Sequence, residues 1–250
     1  MGEGIHISFQ AEVLGSIFGI PVSNSLILAL ITGAVLVGSG LFAVRALSLV
    51  PPRIQSVAEM IIEGLLGLMD QILGNREQAL KFFPLVASIF LFILFNNWLG
   101  LLPGIGSFGF TEGEVGHEVF VPFFRSANSD LNTTLALALI SVGATQLFGI
   151  AHLGFFKHVS RFINFKNPIT FFVGILEIIG EFAKVVSFSF RLFGNIFAGE
   201  VLLIIIMTLV PVLVPFPFLF LELFVGFIQA LVFAVLTLIF LKVATETAEH

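Results

Sequence analysis

Apolar residues in this chain run in long unbroken blocks, and the blocks define its elements. Leu26 to Leu47, Lys81 to Leu102 and Leu131 to Phe156 are the first three. Each can cross a bilayer as a helix, because a hydrocarbon core about 30 Å thick needs about 20 predominantly apolar residues. Each ends at a breaker or a charge: Pro51-Pro52, Pro103-Gly104 and Lys157-His158. Pro52 to Gly74 has a different rhythm. Ile54, Val57, Ile61, Leu65, Leu68 and Ile72 recur at three- and four-residue steps, with Arg53, Gln55, Glu59, Glu63 and Asp70 between them. That period predicts an amphipathic helix, at the membrane surface or packed on its neighbours.

The fourth block, Pro168 to Val210, has no internal proline. Its length of about 42 residues at 1.5 Å each gives roughly 60 Å, twice the hydrocarbon thickness. Gly174, Gly180, Gly194 and Gly199 are singletons of the kind membrane helices tolerate, so they do not split it. One long helix, strongly tilted or bent, is expected. A loop with Pro211, Pro215 and Pro217 leads into a second over-long helix, Phe218 to Thr245. The fold class is therefore an all-α membrane protein, one integral domain over residues 1–250. It has five membrane helices (26–47, 81–102, 131–156, 168–210 and 218–245), the last two a tilted hairpin, and one surface amphipathic helix (52–74).

Composition agrees with this class. Hydrophobic residues make up 58% and charged residues 11%, against about 45–50% and about 25% in soluble domains. Apolar runs without alternation favour helices over a transmembrane barrel. With no Cys there is neither a disulfide framework nor a thiolate metal site. The net charge of −5 is too diffuse for a nucleic-acid partner. Residues 1–6 put no basic stretch ahead of an apolar one, so the first apolar segment is expected to stay in the mature protein. Arg45, Arg53, Arg76 and Lys81 flank the first inter-helix region, and Lys157, Arg161 and Lys166 fill the third. The second holds Glu112, Glu114, Glu118 and Asp130 against a lone Arg125. By the positive-inside rule the N-terminus faces outside and the C-terminus the cytoplasm.

Charges inside the fourth block carry the chemistry. Glu177, Glu181, Lys184, Arg191 and Glu200 interrupt an apolar sequence, each costing about 2.5–3.5 kcal/mol at membrane depth, and so are functional candidates. On a helical wheel Lys184, Ser187, Asn195 and Glu177 lie within about 40° of Arg191, while Glu200 lies about 180° round. Glu177, Glu181 and Lys184 are alternatively a solvated helix end with snorkelling side chains. Arg191, among Phe188, Phe190, Leu192 and Phe193, has no such exit. Glu222 and Gln229 share a face of the last helix. Gln229 is alternatively an interhelical hydrogen bond, and Glu222 an outer-surface residue.

Other motifs carry less. Gly104-Ile105-Gly106-Ser107-Phe108-Gly109 fits G-x-G-x-x-G without a preceding strand, and a flexible outer loop is expected there. There is no P-loop and no H-E-x-x-H, and His152 and His158 fall on different helix faces, so neither ATP hydrolysis nor zinc is implied. Asn132-Thr133-Thr134 reads as a sequon, but Asp130 and Asn132 more simply cap a helix start.

Ser189-Phe190-Arg191-Leu192-Phe193-Gly194-Asn195-Ile196-Phe197-Ala198-Gly199-Glu200 resembles the signature of the ATP synthase subunit a family, R-L-F-G-N-x-x-A-G-E. Phe95-Asn96-Asn97-Trp98-Leu99-Gly100-Leu101-Leu102-Pro103, Asp130-Leu131-Asn132-Thr133-Thr134-Leu135 and Gln229-Ala230 are similar to further family stretches, in order along most of the chain. The resemblance implies a non-catalytic stator subunit without cofactor or metal. Its partners would be the rotating c-ring, subunit b of the peripheral stalk and the remaining ATP synthase subunits. Its place would be a bacterial inner membrane or, alternatively, a mitochondrial one. Arg191 would attract each ionised carboxylate of the ring and block direct proton leak between two offset half-channels. Asn195, Glu200, Glu222 and Gln229, with Asn97, would line the outer half-channel, and Ser187 and Glu177 the inner. Many family members hold a histidine at the position of Glu200 or Glu222, which leaves open which carboxylate is the relay. A self-sufficient transporter built on Arg191 and Glu200 is the competing class, though inverted repeats and broken helices are absent. A membrane-bound enzyme lacks a nucleophile or metal set.

Overall fold

The structure, a computed structural model, describes residues 11–17, 19–45, 48, 52–102, 104–105, 108–112, 119–162, 168–210 and 213–245. Of the positions singled out above, residues 1–6, Leu47, Pro51, Pro103, Gly106, Ser107, Glu114, Glu118, Lys166 and Pro211 lie outside the described residues.

The described residues form α1 (Asn24–Arg45), α2 (Arg53–Leu73), α3 (Arg76–Gly100), α4 (Leu131–Leu153), α5 (Phe155–Phe162), α6 (Pro168–Leu209) and α7 (Pro215–Thr245). Two short antiparallel hairpins accompany them: β1 (Val13–Ile17) with β2 (Ile20–Ser23), and β3 (Gly109–Glu112) with β4 (Val119–Pro122). Helices α1, α3, α4, α6 and α7 are long and apolar enough to cross a membrane. Large apolar side chains that stay exposed on them, such as Leu30, Phe42, Leu147, Phe182 and Phe220, suit a hydrocarbon solvent. At 42 residues, α6 is one continuous helix.

Helix ends depart from the apolar blocks where capping chemistry decides. Helix α3 begins at Arg76 rather than Lys81 because the Asn75 side chain accepts from the Glu77 and Gln78 N–H groups, at 2.9 and 3.3 Å. Helix α4 ends at Leu153 rather than Phe156. Gly154 takes the left-handed conformation (φ 84°) and its N–H closes on the Ile150 carbonyl at 2.9 Å, so α5 starts as a separate helix. Helix α7 starts at Pro215, three residues before the expected Phe218. Pro215 and Pro217 sit in its first turn, where an N–H has no intrahelical acceptor and a proline costs little. Asp130 caps α4 through the Asn132 N–H at 3.0 Å. The segment expected to be a loop through Gly109 instead delivers Gly109 to β3, paired with Pro122.

By internal packing the chain comprises two compact units. One is built from Met1–Val44, Leu91–Thr134 and Phe190–Ala230, the other from Arg45–Phe90, Leu135–Ser189 and Leu231–His250. The first has a polar interior. Asn24, Ser25, Thr32, Asn96, Asn97, Asn128, Ser129 and Asp130 are all buried. They pair across elements: Thr32 Oγ1 donates to Asn96 Oδ1 (3.0 Å), Ser25 Oγ to Asp130 Oδ2 (2.8 Å) and Asn24 Nδ2 to the Pro122 carbonyl (3.3 Å). The hydrophobic effect gives no net drive between helices in lipid, so close packing and such bonds fix which neighbours meet. The second unit is more aromatic. Phe188 packs on Phe233 and Phe240, and Phe82 meets Phe148 edge-on. Lys242 Nζ caps the α2 end by donating to the Ile72 carbonyl at 3.0 Å.

Candidate functional site

In the first unit, a cavity of about 450 Å³ is bordered by the end of α3, the segment after β4, and α6 and α7. Asn97, Arg125, Ser126, Glu200 and Glu222 supply its polar wall. Arg125 is the central cation. Its side chain is only 9% exposed, pairs with Glu200 at 3.2 Å, donates to Ser129 Oγ at 3.2 Å and stands over the Phe197 ring at 5.9 Å. Glu222 is buried, and its carboxyl lies where a side chain on Gly199 would have to go. Gly199 therefore fits for lack of a Cβ, and both candidate carboxylates border one space. Asn97 Nδ2 donates to the Gly226 carbonyl at 3.0 Å, and its Oδ1 accepts from Asn128 Nδ2 at 2.7 Å. That fixes its amide orientation.

Arg191 and Asn195 do not border the cavity. In this unit α6 buries Leu192, Ile196, Gly199 and Leu203 and exposes Phe190, Arg191, Gly194, Asn195 and Ala198. The wheel's separation of Arg191 from Glu200 corresponds to this: one side chain on the exposed face, the other turned to Arg125. Gln229 is buried, and its Nε2 donates to the Arg191 main-chain carbonyl at 3.0 Å. It thus makes the interhelical bond weighed above, ending on the residue that bears the guanidinium.

The second unit holds its own polar cluster. Glu177 pairs with Arg161 of α5, and Glu181 with Lys184 at 2.6 Å, so these carboxylates have partners rather than forming a purely solvated helix end. Lys184 also lies over the Phe240 ring at 4.7 Å. His158 is 3% exposed and its Nε2 meets Gln146 Oε1 at 2.8 Å. Its pKa is pushed below the ordinary 6.5, first by burial and then by Arg161, against the opposing pull of Glu177 and Glu181. Ser187 is exposed, next to buried Phe188 and Ser189. Among the described residues no group of three or more His, Cys, Asp or Glu could hold a metal ion.

Residues 26–242 match the sequence model of a family described as ATP synthase A chain. The chain belongs to the ATP synthase A chain family. Relatives named ATP synthase subunit a are similar over most of their length. The protein of Syntrophobacter fumaroxidans is 39% identical over 215 residues, covering 86% of this chain and 81% of the relative. That of Campylobacter jejuni is 34% identical, covering 84% of both chains, and that of Trichlorobacter lovleyi 35% identical, covering 83% and 81%. With five apolar helices of spanning length, this member of the ATP synthase A chain family is a multi-pass membrane protein.

The A chain candidates thus separate into Asn97, Glu200 and Glu222 at the cavity, Arg191 and Asn195 on the exposed face of α6, Gln229 behind Arg191, and Glu177 and Ser187 in the other unit. Arg125, Asn128 and His158 are absent from the candidates named from sequence. A signal did exist for Arg125, the one Lys or Arg in an inter-helix segment rich in carboxylates.

Proposed function

We propose that this chain is the proton-translocating stator subunit of an ATP synthase, working against a rotating ring of c subunits and contributing no catalytic site. One observation carries the proposal: Arg191 stands on an exposed face of a 42-residue apolar helix. A guanidinium does not deprotonate, so Arg191 presents a permanent cation on that face, and a charge within an apolar helix marks a functional position. A ring carboxylate passing that face would meet it. Arg191 would draw in each ionised carboxylate and bar protons from crossing directly between two offset half-channels.

The outer half-channel would enter by the cavity of Asn97, Glu200 and Glu222, with the two carboxylates as alternate proton acceptors and Asn195 and Gln229 nearest Arg191. Glu177 and Ser187 would belong to the inner one. Each proton moving down 100 mV releases about 2.3 kcal/mol, so a leak past Arg191 would uncouple the machine. The chain would act as one membrane domain in a bacterial inner membrane, N-terminus outside and C-terminus cytoplasmic. Helices α6 and α7 would form a tilted hairpin, α2 would lie along the surface, and subunit b would hold the assembly as peripheral stalk.

The test is Arg191→Ala in the assembled enzyme. Proton-driven ATP synthesis should vanish, with passive proton leak kept or increased; normal synthesis would remove Arg191 from the mechanism. Liposomes carrying this chain alone should show no robust proton flux, and rapid flux without a ring would favour a self-sufficient transporter.

A further inference from the structure

The cluster around His158 contains a feature that its ion pairs do not explain. Two polar atoms there, His158 Nδ1 and Glu181 Oε2, are buried with no hydrogen-bond partner among the described residues. Both residues line the same small space, together with Thr145 and Gln146 of α4, Arg161 of α5, Glu177 and Lys184 of α6, and the apolar Phe240, Val243 and Ala244 of α7. The space is about 10 Å³, room for one water. The free atoms are complementary to one donor molecule. Glu181 Oε1 is already taken by Lys184, leaving Oε2 as an acceptor. His158 Nε2 faces the Gln146 Oε1 acceptor and so carries the ring proton, leaving Nδ1 as a bare lone pair. Gly149 admits the Cε1 and Nδ1 edge of the ring, since a Cβ there would sit 2.6 Å from Cε1 and 2.9 Å from Nδ1.

We propose that this space is a proton-holding site: one water, or a hydronium in its place, bridges His158 Nδ1 and Glu181 Oε2, and His158 stores the proton in transit. The balance is simple. A hydronium gives one proton to Nδ1, leaving water and an imidazolium, and the same N–H returns that proton to the water, restoring the neutral ring. No bond to Gln146 is broken in either direction. Charges facing the ring are Arg161 from its own helix and Glu177, Glu181 and Lys184 from α6; the other linings are uncharged. Burial and Arg161 keep the ring neutral near neutral pH, hence ready to accept. This rests on the proton-path function proposed above.

The test uses the assembled ATP synthase in proteoliposomes, with ATP-driven proton pumping followed as the pH on the side of proton uptake is varied. Wild type should lose rate on the acidic side as His158 becomes permanently protonated. His158→Gln should pump severalfold more slowly, with that acidic limb gone. Glu181→Gln, which keeps the shape but weakens one acceptor, should displace the limb. A His158→Gln enzyme with the wild-type rate and pH profile overturns the proposal. If that variant does not assemble, nitrogen NMR of histidine-labelled wild type decides: Nδ1 unprotonated and hydrogen-bonded near neutral pH supports the site, and an Nδ1–H tautomer refutes it. Arg191→Ala, assayed alongside, keeps the two proposals apart. If that variant pumps normally, the proton-path function falls. If it fails while His158→Gln keeps the wild-type profile, only the His158 site falls.

Discussion

Replacing Arg125 by Met removes the cation from the larger cavity while keeping most of the apolar stem. Arg125 and Glu200 are 3.2 Å apart, with side-chain exposures of 9% and 29%. At an effective dielectric constant of about 20, that separation corresponds to about 5 kcal/mol of attraction. Desolvation of both groups offsets much of it, and the exposed edge of Glu200 admits solvent screening. The net cost of losing Arg125 should therefore be about 2–3 kcal/mol, below the 3–5 kcal/mol of a fully buried pair. The hydrogen bond to Ser129 and the contact with Phe197 add about 1 kcal/mol. Removing the carboxylate as well should recover part of the loss, because no uncompensated charge then remains. Equilibrium unfolding in mixed micelles of wild type, Arg125→Met, Glu200→Gln and the double variant gives the coupling directly. A value of about 1–3 kcal/mol is expected. If the two single effects simply add, within about 0.5 kcal/mol, the pair is not a functional unit and the reasoning fails.

Three further outcomes follow from the packing. Gly199→Ala should leave the complex assembled but impair proton-coupled synthesis, because the new methyl displaces the Glu222 carboxyl; shortening that residue in the same background, Glu222→Asp, should restore part of the rate. Gly174→Ala meets the main-chain carbonyl of Phe162, which cannot swing aside, and should destabilise by about 1–3 kcal/mol in the same micelle titration. By contrast, Gly194→Ala, which meets nothing within 4 Å in the chain itself, should not lower its stability. Because the folded pKa of His158 lies below 6.5, its neutral burial contributes stability that is complete above that value and is lost as pH falls through the folded pKa. Thermal inactivation midpoints compared across that range should fall with acid in wild type and less steeply in His158→Gln.

Much of the architecture was legible because bilayer thickness turns helix length into a count of apolar residues. Helix α6 could be read as one element since neither proline nor a paired turn signal interrupts it. The break at Gly154 was hidden because apolar composition continues across it to Phe156, and only the left-handed backbone ends the helix. Helix α3 begins before its apolar block because Asn75 sets its start, and a hydropathy count is blind to a cap. Arg191 and Glu200 could be assigned to different faces from a 100° step alone. That Glu200 answers to Arg125, 75 positions earlier in the chain, is a tertiary fact that no local pattern encodes. The same holds for Glu222 over Gly199: a wheel gives a direction, whereas the shared cavity depends on how two helices approach.

The bond from Gln229 to the Arg191 carbonyl bears on how force would pass through a rotary machine. Under the proposed function, a ring carboxylate drawn to the guanidinium would load α6 at one residue. Gln229 ties that residue's main chain to α7 at 3.0 Å, so two helices share the load where it enters. The main chain is the fixed post and the flexible side chain the spring. Displacement would then be taken up by rotamer changes of the exposed Arg191 side chain, which for exposed residues occur in picoseconds to nanoseconds, rather than by slower bending of a helix. Under the proposed rotary function, such a coupling would yield at the side-chain tip while its main-chain root stays tied to the neighbouring helix.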